Sequence, residues 1–205
     1  MSVLTQLLEL GTLHHLCETP ALRAELRGKL TPQPGVKELQ GSLTVTEGES
    51  VVFDEAEVHV VGDLVLEDQA RMYVAGDLRV DGNILAASWD YSLLFAGGRI
   101  EASNLVSNGE LVALGGLELR GVAWTFENSY STYADTLSAK VVVRDERYEL
   151  VEDTRSGEFL ENRQPDFAAR LEVLIRQELS SDDQGFSPRA FVKRLAPGEA
   201  ILREG

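Results

Sequence analysis

The sequence predicts a mainly β protein, a right-handed parallel β-helix of about five to six coils, capped by α-helices at both ends. The first observation is a repeated phrase of glycine, spacer, Leu or Ile, spacer, and a small or branched apolar residue. The second is the unit length of 14 to 22 residues, which holds two or three short strands but no crossover helix. The third is that helical patterns occur only near the termini. Copies of the phrase begin at Gly41, Gly62, Gly76, Gly98 and Gly115, with a degenerate one at Asp135.

Each copy of the phrase predicts a half-buried strand, because apolar and polar residues alternate over about five positions. The glycine before each strand is interpreted as a bend that a Cβ would obstruct. Stacked coils bury the apolar side of each unit only against its neighbours, which is the logic of a solenoid. We therefore predict that residues 37–152 form the β-helix.

The amino-terminal residues 1–36 predict a helical cap. Leucines at positions 4, 7 and 8 form an apolar stripe that breaks near Gly11, and a further helix begins with Thr19 as N-cap and Pro20 at the first helical position. Residues 31–35, Thr-Pro-Gln-Pro-Gly, are interpreted as a linker because two prolines and a glycine cannot continue a helix.

The carboxy-terminal residues 153–205 predict a second helical cap and a tail. A helix is expected over 166–179 with Asp166 as its cap, and another is expected from Ser187-Pro188. A bare end of a β-helix exposes unpaired backbone and apolar interior, so helices that cover the ends would prevent further strand addition.

Composition is that of an ordinary globular protein, with 43% hydrophobic and 26% charged residues. There is no run of eighteen apolar residues and no amino-terminal pattern of a secretory signal. The single cysteine, Cys17, excludes an intramolecular disulfide. The cytoplasm is the expected location.

The charge balance disfavours nucleic acid and anionic membranes as partners and fits a basic protein. The chain has 34 acidic and 19 basic residues, a net charge of −15, and residues 38–70 contain nine carboxylates without one Lys or Arg. One interpretation is a docking surface for a cationic partner; the other is scattered, solvated carboxylates on different faces. The candidate partner-binding carboxylates are Glu47, Glu49, Asp54, Glu55, Glu57, Asp63, Glu67 and Asp68.

Two polar corners with aromatic residues add candidate anchors for a partner. The first holds Asp90 and Tyr91 and the second holds Tyr130 and Tyr133, about two coils apart. Exposed tyrosines beside polar residues are typical of interfaces. The alternative is a structural one, in which the aromatic residues near these corners, Trp124 among them, only close the hydrophobic interior.

No catalytic motif is present, so no enzymatic activity, cofactor or metal is predicted. Nucleophile elbows, zinc-protease helices and phosphate loops are absent, and His14, His15 and Cys17 lack the spacing of a closed metal site. A carbohydrate-active enzyme stays an alternative, since acidic chains offer many carboxylate pairs.

Four segments, residues 74–84, 93–105, 109–117 and 194–203, resemble the polymer-forming β-helix proteins related to bactofilins. They are most similar to a bacterial branch that is often encoded beside polymorphic or contact-dependent toxins. Members of that branch often carry Tyr-Asn-x-Gly and Asp-Asp-His where this chain has Asn128-Ser129-Tyr130-Ser131 and Asp145-Glu146-Arg147.

The resemblance implies a protein-binding function, in its most concrete form an immunity protein that neutralises a cognate basic toxin, a nuclease for example, by occluding its active site. The alternative that it implies is a self-assembling scaffold of the bactofilin type, and a homo-oligomer is compatible with both.

Overall fold

The computed structural model describes residues 3–86, 91–126, 131–144, 149–161, 163–175, 192, 195 and 200–202. Over these residues the chain is a parallel β-solenoid of about six rungs. The helices are α1 (Val3–Leu8), α2 (His14–Cys17), α3 (Pro20–Lys29) and α4 (Phe167–Leu174). The strands are β1 (Gln33–Leu39), β2 (Leu43–Val45), β3 (Ser50–Phe53), β4 (Glu55–Val60), β5 (Leu64–Leu66), β6 (Arg71–Val74), β7 (Asp77–Val80), β8 (Asn83–Ala86), β9 (Leu93–Ala96), β10 (Ile100–Ala102), β11 (Asn104–Ser107), β12 (Glu110–Leu119), β13 (Val122–Thr125), β14 (Thr132–Arg144) and β15 (Glu149–Glu161).

Three parallel sheets form the faces of the solenoid. The first face stacks β1, β4, β7, β10, β12, β14 and β15; the second stacks β2, β5, β8, β11, β13, β14 and β15; the third stacks β3, β6, β9, β12, β14 and β15. Strands β12, β14 and β15 contribute to more than one face because they continue around a corner. The first rung is β1 to β3, and the sheet therefore begins at Gln33 and ends at Glu161, beyond both predicted limits of 37 and 152.

The register explains the uneven spacing of the sequence repeat. Along the first face Val58, Leu78, Ile100, Leu117 and Leu137 are successive partners, 17 to 22 residues apart. The copies that begin at Gly41 and Gly62 belong to the second face, whereas the later copies belong to the first. The short 14-residue gap is thus a change of face rather than a short rung.

The interior is a dry column of aliphatic side chains. Each face contributes every second residue of its strands, so that Leu64, Ile84 and Leu105 from the second face meet Met72 and Leu94 from the third. These side chains are at most 2% exposed. Alternation along each short strand therefore gives the column its continuity, as the sequence pattern predicts.

The repeat glycines are required by close stacking more than by bending. A Cβ on Gly76 would overlap the carbonyl oxygen of Ala56 in the rung below, and one on Gly62 would lie 2.6 Å from the amide nitrogen of Ser42. Among the phrase glycines of the described segments, a positive φ occurs at Gly41, at 79°. The predicted bend is therefore correct for Gly41. At the other copies glycine is required because a side chain would collide with the preceding rung.

The terminal helices lie against the flanks of the solenoid. Leucines of α1 and α3, together with Cys17, pack on the outward side chains Tyr73, Phe95 and Val112 of the third face. Helix α4 packs on the outward row of the second face, where Trp124 is 3% exposed. The expectation that terminal helices cap the solenoid is thus confirmed only in part. The described helices cover the outward apolar side chains of two faces.

Local helix signals are partly confirmed. Thr19 Oγ1 accepts from the amide of Leu22 at 3.3 Å, and Pro20 opens α3 as predicted. Asp166 precedes α4, but its side chain makes no capping hydrogen bond, and the helix ends at Leu174 because Ile175 forms an antiparallel bridge with Leu202. The helix predicted from Ser187 lies outside the described residues.

No helix of the described segments is both long and apolar enough to cross a membrane.

Candidate partner-binding site

Four of the candidate carboxylates meet at the corner between the second and third faces, in the first two rungs. We name Glu47, Glu49, Glu67 and Asp68 the acidic corner. The turn that joins β2 to β3 stacks on the turn that joins β5 to β6, and the amide of Gly48 donates to the carbonyl oxygen of Asp68 at 3.0 Å. Neighbouring parallel strands are about 4.8 Å apart, so the four side chains share one patch.

Three hydrogen bonds fix the geometry of the acidic corner. The amide of Glu47 donates to Glu67 Oε2 at 3.1 Å, which joins the two rungs. Glu49 Oε2 accepts from Thr46 Oγ1 at 3.0 Å and from the Thr46 amide at 3.2 Å, which closes the upper turn. Backbone donors therefore hold these carboxylates in place while leaving them hydrated.

Three of the four carboxylates in the acidic corner are not ion-paired with a described residue, although the Arg71 guanidinium lies close to the corner. Glu47, Glu49 and Glu67 make no ion pair with any of the described residues. The next basic residue, Arg71, donates instead to the carbonyl oxygens of Leu8 and Leu10, at 3.4 and 3.2 Å. The corner thus presents several negative charges to solvent, an arrangement that attracts cationic surfaces over about a Debye length of 8–10 Å.

A hollow of about 280 Å³ adjoins the acidic corner. Its lining includes Gly48, Ser50, Gln69, Arg71 and Tyr91. The Arg71 guanidinium carbon lies 5.3 Å from the centre of the Tyr91 ring, a cation–π contact. This hollow gives the acidic corner a concave neighbour into which a side chain of a partner would fit.

The other candidate carboxylates lie elsewhere on the solenoid. Asp54 is exposed at the corner between the third and first faces, and Glu55 and Glu57 are half-buried on the first face. Asp63 is 3% exposed, and its Oδ1 accepts from the amide of Asn83 at 2.6 Å, so it ties two rungs together. The structure thus divides the acidic run between an exposed patch and separate positions; Asp90 lies outside the described residues.

The two described tyrosine candidates are buried, which corrects the expectation that they stand exposed at a rim. Tyr133 is fully buried beneath the amino-terminal helices, where its hydroxyl contacts His14 Nδ1. Tyr91 is 8% exposed and donates to Glu110 Oε2 at 2.9 Å. Both tyrosines belong to the outward apolar side chains of the third face, which the amino-terminal helices cover. Tyr130 lies outside the described residues.

Burial changes the acidity of these tyrosines and of the neighbouring thiol. Desolvation raises the pKa of Tyr133 to about 12 and that of Cys17 to about 12, with the Glu110 charge acting in the same direction. Desolvation, followed by the Glu110 charge, also raises the pKa of Tyr91. All three groups therefore remain protonated at neutral pH and act as hydrogen-bonding and packing groups.

Glu110 is a buried structural residue that the sequence patterns did not single out. It is 2% exposed, and its carboxylate accepts from Thr12 Oγ1 at 2.9 Å, from the Leu13 amide at 3.0 Å and from Tyr91. It binds the start of α2 to the third face. The available signal was a charged residue directly before the apolar residues 111–114 of β12.

A second hollow, of about 470 Å³, lies on the first face between the fourth and seventh strands. Glu101 and Glu118, neighbours in register, line it together with Arg120, Ser138 and Arg155. Glu101 Oε1 is paired with Arg99 Nε at 2.9 Å. This hollow belongs to a surface of mixed charge, in contrast to the acidic corner.

No cluster of three or more potential metal-binding side chains occurs in the described part of the chain. Comparison with protein-family models, curated proteins and solved structures gives no match for this chain. The resemblance to bactofilin-related proteins therefore stays a prediction from the sequence.

Proposed function

We propose that this protein is a non-catalytic binding module that binds a basic partner protein through the acidic corner. In its most concrete form it is a cytoplasmic immunity protein, and the partner is a toxin domain, such as a nuclease, with a cationic active-site cleft. The observation that carries the proposal is the stacking of Glu47, Glu49 and Glu67 on two rungs with no ion pair to a described residue.

The physical argument is one of fixed, preorganised charge. Nucleases and other proteins that act on polyanions need a cationic cleft, and a rigid patch of carboxylates competes for that cleft. Because the patch lies on a solenoid corner and its turns are closed by hydrogen bonds, little conformational entropy is lost on docking. Charge complementarity of this kind acts mainly on the association rate and on specificity.

The test begins with the partner itself. The chain is used as bait in lysate of its native host, and the captured protein is expressed with and without the chain. Co-expression is expected to restore growth, and the dissociation constant is expected to rise steeply with NaCl.

A variant with Glu47→Lys and Glu67→Gln should bind that partner about tenfold more weakly, since each exposed charge contact contributes roughly 0.2–1 kcal/mol. Glu9→Lys with Glu172→Gln makes the same change of charge at two exposed positions, one in the turn after α1 and one in α4, and serves as the matched control. Equal affinity of both variants, or binding that ignores salt, contradicts the proposal.

A second candidate function, a self-assembling scaffold, is favoured by the amino-terminal end of the solenoid. Within the described part of the chain, strands β1, β2 and β3 each pair on one side only. Val36 is 61% exposed, and Leu39, Leu43 and Phe53 are only partly buried. Unpaired edges with exposed apolar side chains are templates for another chain.

Electron microscopy and light scattering distinguish the two functions. A scaffold forms filaments, and Thr44→Pro should abolish them. The Leu43 amide donates to the Asp63 carbonyl of the next rung at 2.8 Å, so the Thr44 amide points the other way, toward the free edge. Proline removes that amide, which an added strand would need as a donor. A discrete species at all concentrations favours the binding module.

A further inference from the structure

The first face is the exposed polar side of the solenoid, in contrast to the other two. The third face is covered by α1 to α3 and the second by α4 and residues near the carboxy terminus. Outward side chains of the first face are mostly charged or hydroxyl-bearing, and seven strands build it, with β10 in the middle. An odd number of strands places one of them on the midline of the face.

One outward row crosses the whole face in register, one residue per strand. From the first strand to the seventh the row is Glu38, His59, Arg79, Glu101, Glu118, Ser138 and Arg155. Reversing the row about Glu101 sets Glu38 opposite Arg155 and Arg79 opposite Glu118. The signs of charge are therefore opposite at two of the three mirrored pairs of positions. Within the chain Arg79 is also paired with Asp81 at 3.3 Å, and Arg155 with Asp153 at 2.8 Å.

The corner between the first and second faces follows the same rule. Asp81 follows the third strand and Arg120 follows the fifth, so the reversal sets these two positions opposite each other. Within its own chain the Arg120 side chain donates to Ser103 Oγ at 2.6 Å, and the Asp81 carboxylate is paired with His59 at 3.0 Å. At the midline Glu101 meets its own copy, but each Glu101 carboxylate is already paired with Arg99 at 2.9 Å. The like charges at the centre are thus locally neutralised.

The two halves of the face also differ in the size of some outward side chains. The second and third strands project large side chains, among them Glu57, His59 and Arg79, whereas the fifth and sixth project Gly116, Thr136 and Ser138. Thr136 and Ser138 line the hollow of about 470 Å³ together with larger side chains, among them Glu118 and Arg155. The reversal places the large half of one face over the hollow half of the other.

We infer that the first face is a homodimer interface, in which two copies pack face to face with their solenoid axes antiparallel about a two-fold axis along β10. Glu38 then lies against Arg155 of the second copy, and Arg79 against Glu118 of the second copy. Both contacts occur twice, as a two-fold interface requires. The inference is independent of the proposed function, because the acidic corner lies away from this face.

The size of the face sets the strength of the dimer. Six strand spacings of about 4.8 Å give a length of roughly 29 Å, and strands of a few residues give a width of roughly 15 Å. Two copies would bury about 900 Å² in total, which places the dimer among weak, transient interfaces. The charged rows also make it sensitive to salt.

The test uses charge reversal in the full chain, followed by sedimentation velocity. Glu118→Arg alone and Arg79→Glu alone each create two repulsive contacts, so each should weaken self-association at least about tenfold. Mixing the two variants creates a heterodimer in which both contacts are again attractive. We expect the mixture to associate like the original protein, which no effect on folding would reproduce.

Further variants make each outcome decisive. The double variant Glu118→Arg with Arg79→Glu should form a homodimer again, and the pair Glu38→Arg and Arg155→Glu repeats the test if one variant does not fold. Glu172→Arg, a reversal on α4, should leave association unchanged. A protein that stays monomeric at the highest attainable concentration, or association that ignores the single reversals, overturns the inference.

Discussion

At the residue scale, buried polar side chains decide how the amino-terminal helices attach. Glu110 joins β12 to the start of α2, and Arg23, 1% exposed, joins α3 to the solenoid through Asp135 Oδ1 at 3.1 Å and to the Cys17 carbonyl at 2.9 Å. Buried charged groups are tolerated only when their hydrogen bonds are made. These residues therefore fix the position of the helices more strictly than apolar contact alone.

Replacing Glu110 tests this point. Glu110→Ala should lower the free energy of unfolding by about 3 kcal/mol, because the buried Leu13 amide loses its acceptor. Glu110→Gln should cost only about 1 kcal/mol, since the amide oxygen still accepts from Leu13 and the amide nitrogen can donate to Tyr91 and Thr12. Chemical denaturation measures both values. Glu118→Ala, an exposed control, should stay within about 0.5 kcal/mol; an equal loss for both alanine variants would refute the role of Glu110.

At the scale of the element, residues 3–30 act as a strap that crosses several rungs of the third face. Arg71 of the second rung contacts Leu8 and Leu10, Glu110 of the fourth contacts Leu13, and Tyr133 of the fifth contacts His14. A solenoid is otherwise stabilised only between neighbouring rungs. The strap adds contacts across non-adjacent rungs and so couples their unfolding.

The strap is expected to make the protein sensitive to alkali. The pKa values of Cys17 and Tyr133 are raised in the folded state to about 12, from 9.0 and 10.0. Their contribution to stability is therefore complete below about pH 9 and is lost as the pH rises toward 12, because the unfolded chain ionises first.

Urea unfolding from pH 8 to 12 should show this decline in the free energy of unfolding. Tyr133→Phe, which cannot ionise, should make the decline shallower while costing the hydrogen bond to His14. A free energy of unfolding that is constant up to pH 12 would contradict the predicted linkage.

At the scale of the whole molecule, the three faces have different roles. Two faces carry outward apolar rows and are covered by the chain's own termini, whereas the first face is polar and exposed. The acidic corner lies at the junction of the two covered faces, and the amino-terminal end keeps free strand edges. The proposed partner binding, the inferred pairing of two copies and the alternative of end-to-end assembly involve separate surfaces, so each proposal is testable by itself.

The solenoid could be predicted from the sequence because its signals are local. Apolar and polar residues alternate within short strands, and Gly76, Gly98 and Gly115 recur at intervals of about 20 residues, which is the length of one rung. The rung assignment was less accessible, since the phrases at Gly41 and Gly62 belong to another face than the later ones. Equivalent phrases look alike in sequence whichever face they build.

The acidic corner could be predicted only in part. The run from 38 to 70 was visible as composition, but Asp63 proved buried and Glu57 lies on the first face, whereas Glu47 and Glu67, twenty residues apart, became neighbours. Residues near an aromatic corner looked like surface anchors, yet Tyr91 and Tyr133 are beneath the strap. These tyrosines are buried by residues 3–30, which are distant in sequence, so the residues around each tyrosine do not indicate that it is buried.

The sequence by itself determined the periodic part of this protein: short alternating strands, glycines that allow rungs to stack, an excess of carboxylates and helices confined to the termini. Only the tertiary structure decided which carboxylates meet, which aromatic side chains are covered, and which of three faces remains exposed. The physical reason is that periodicity arises from contacts between one rung and the next, whereas exposure depends on where distant segments finally pack.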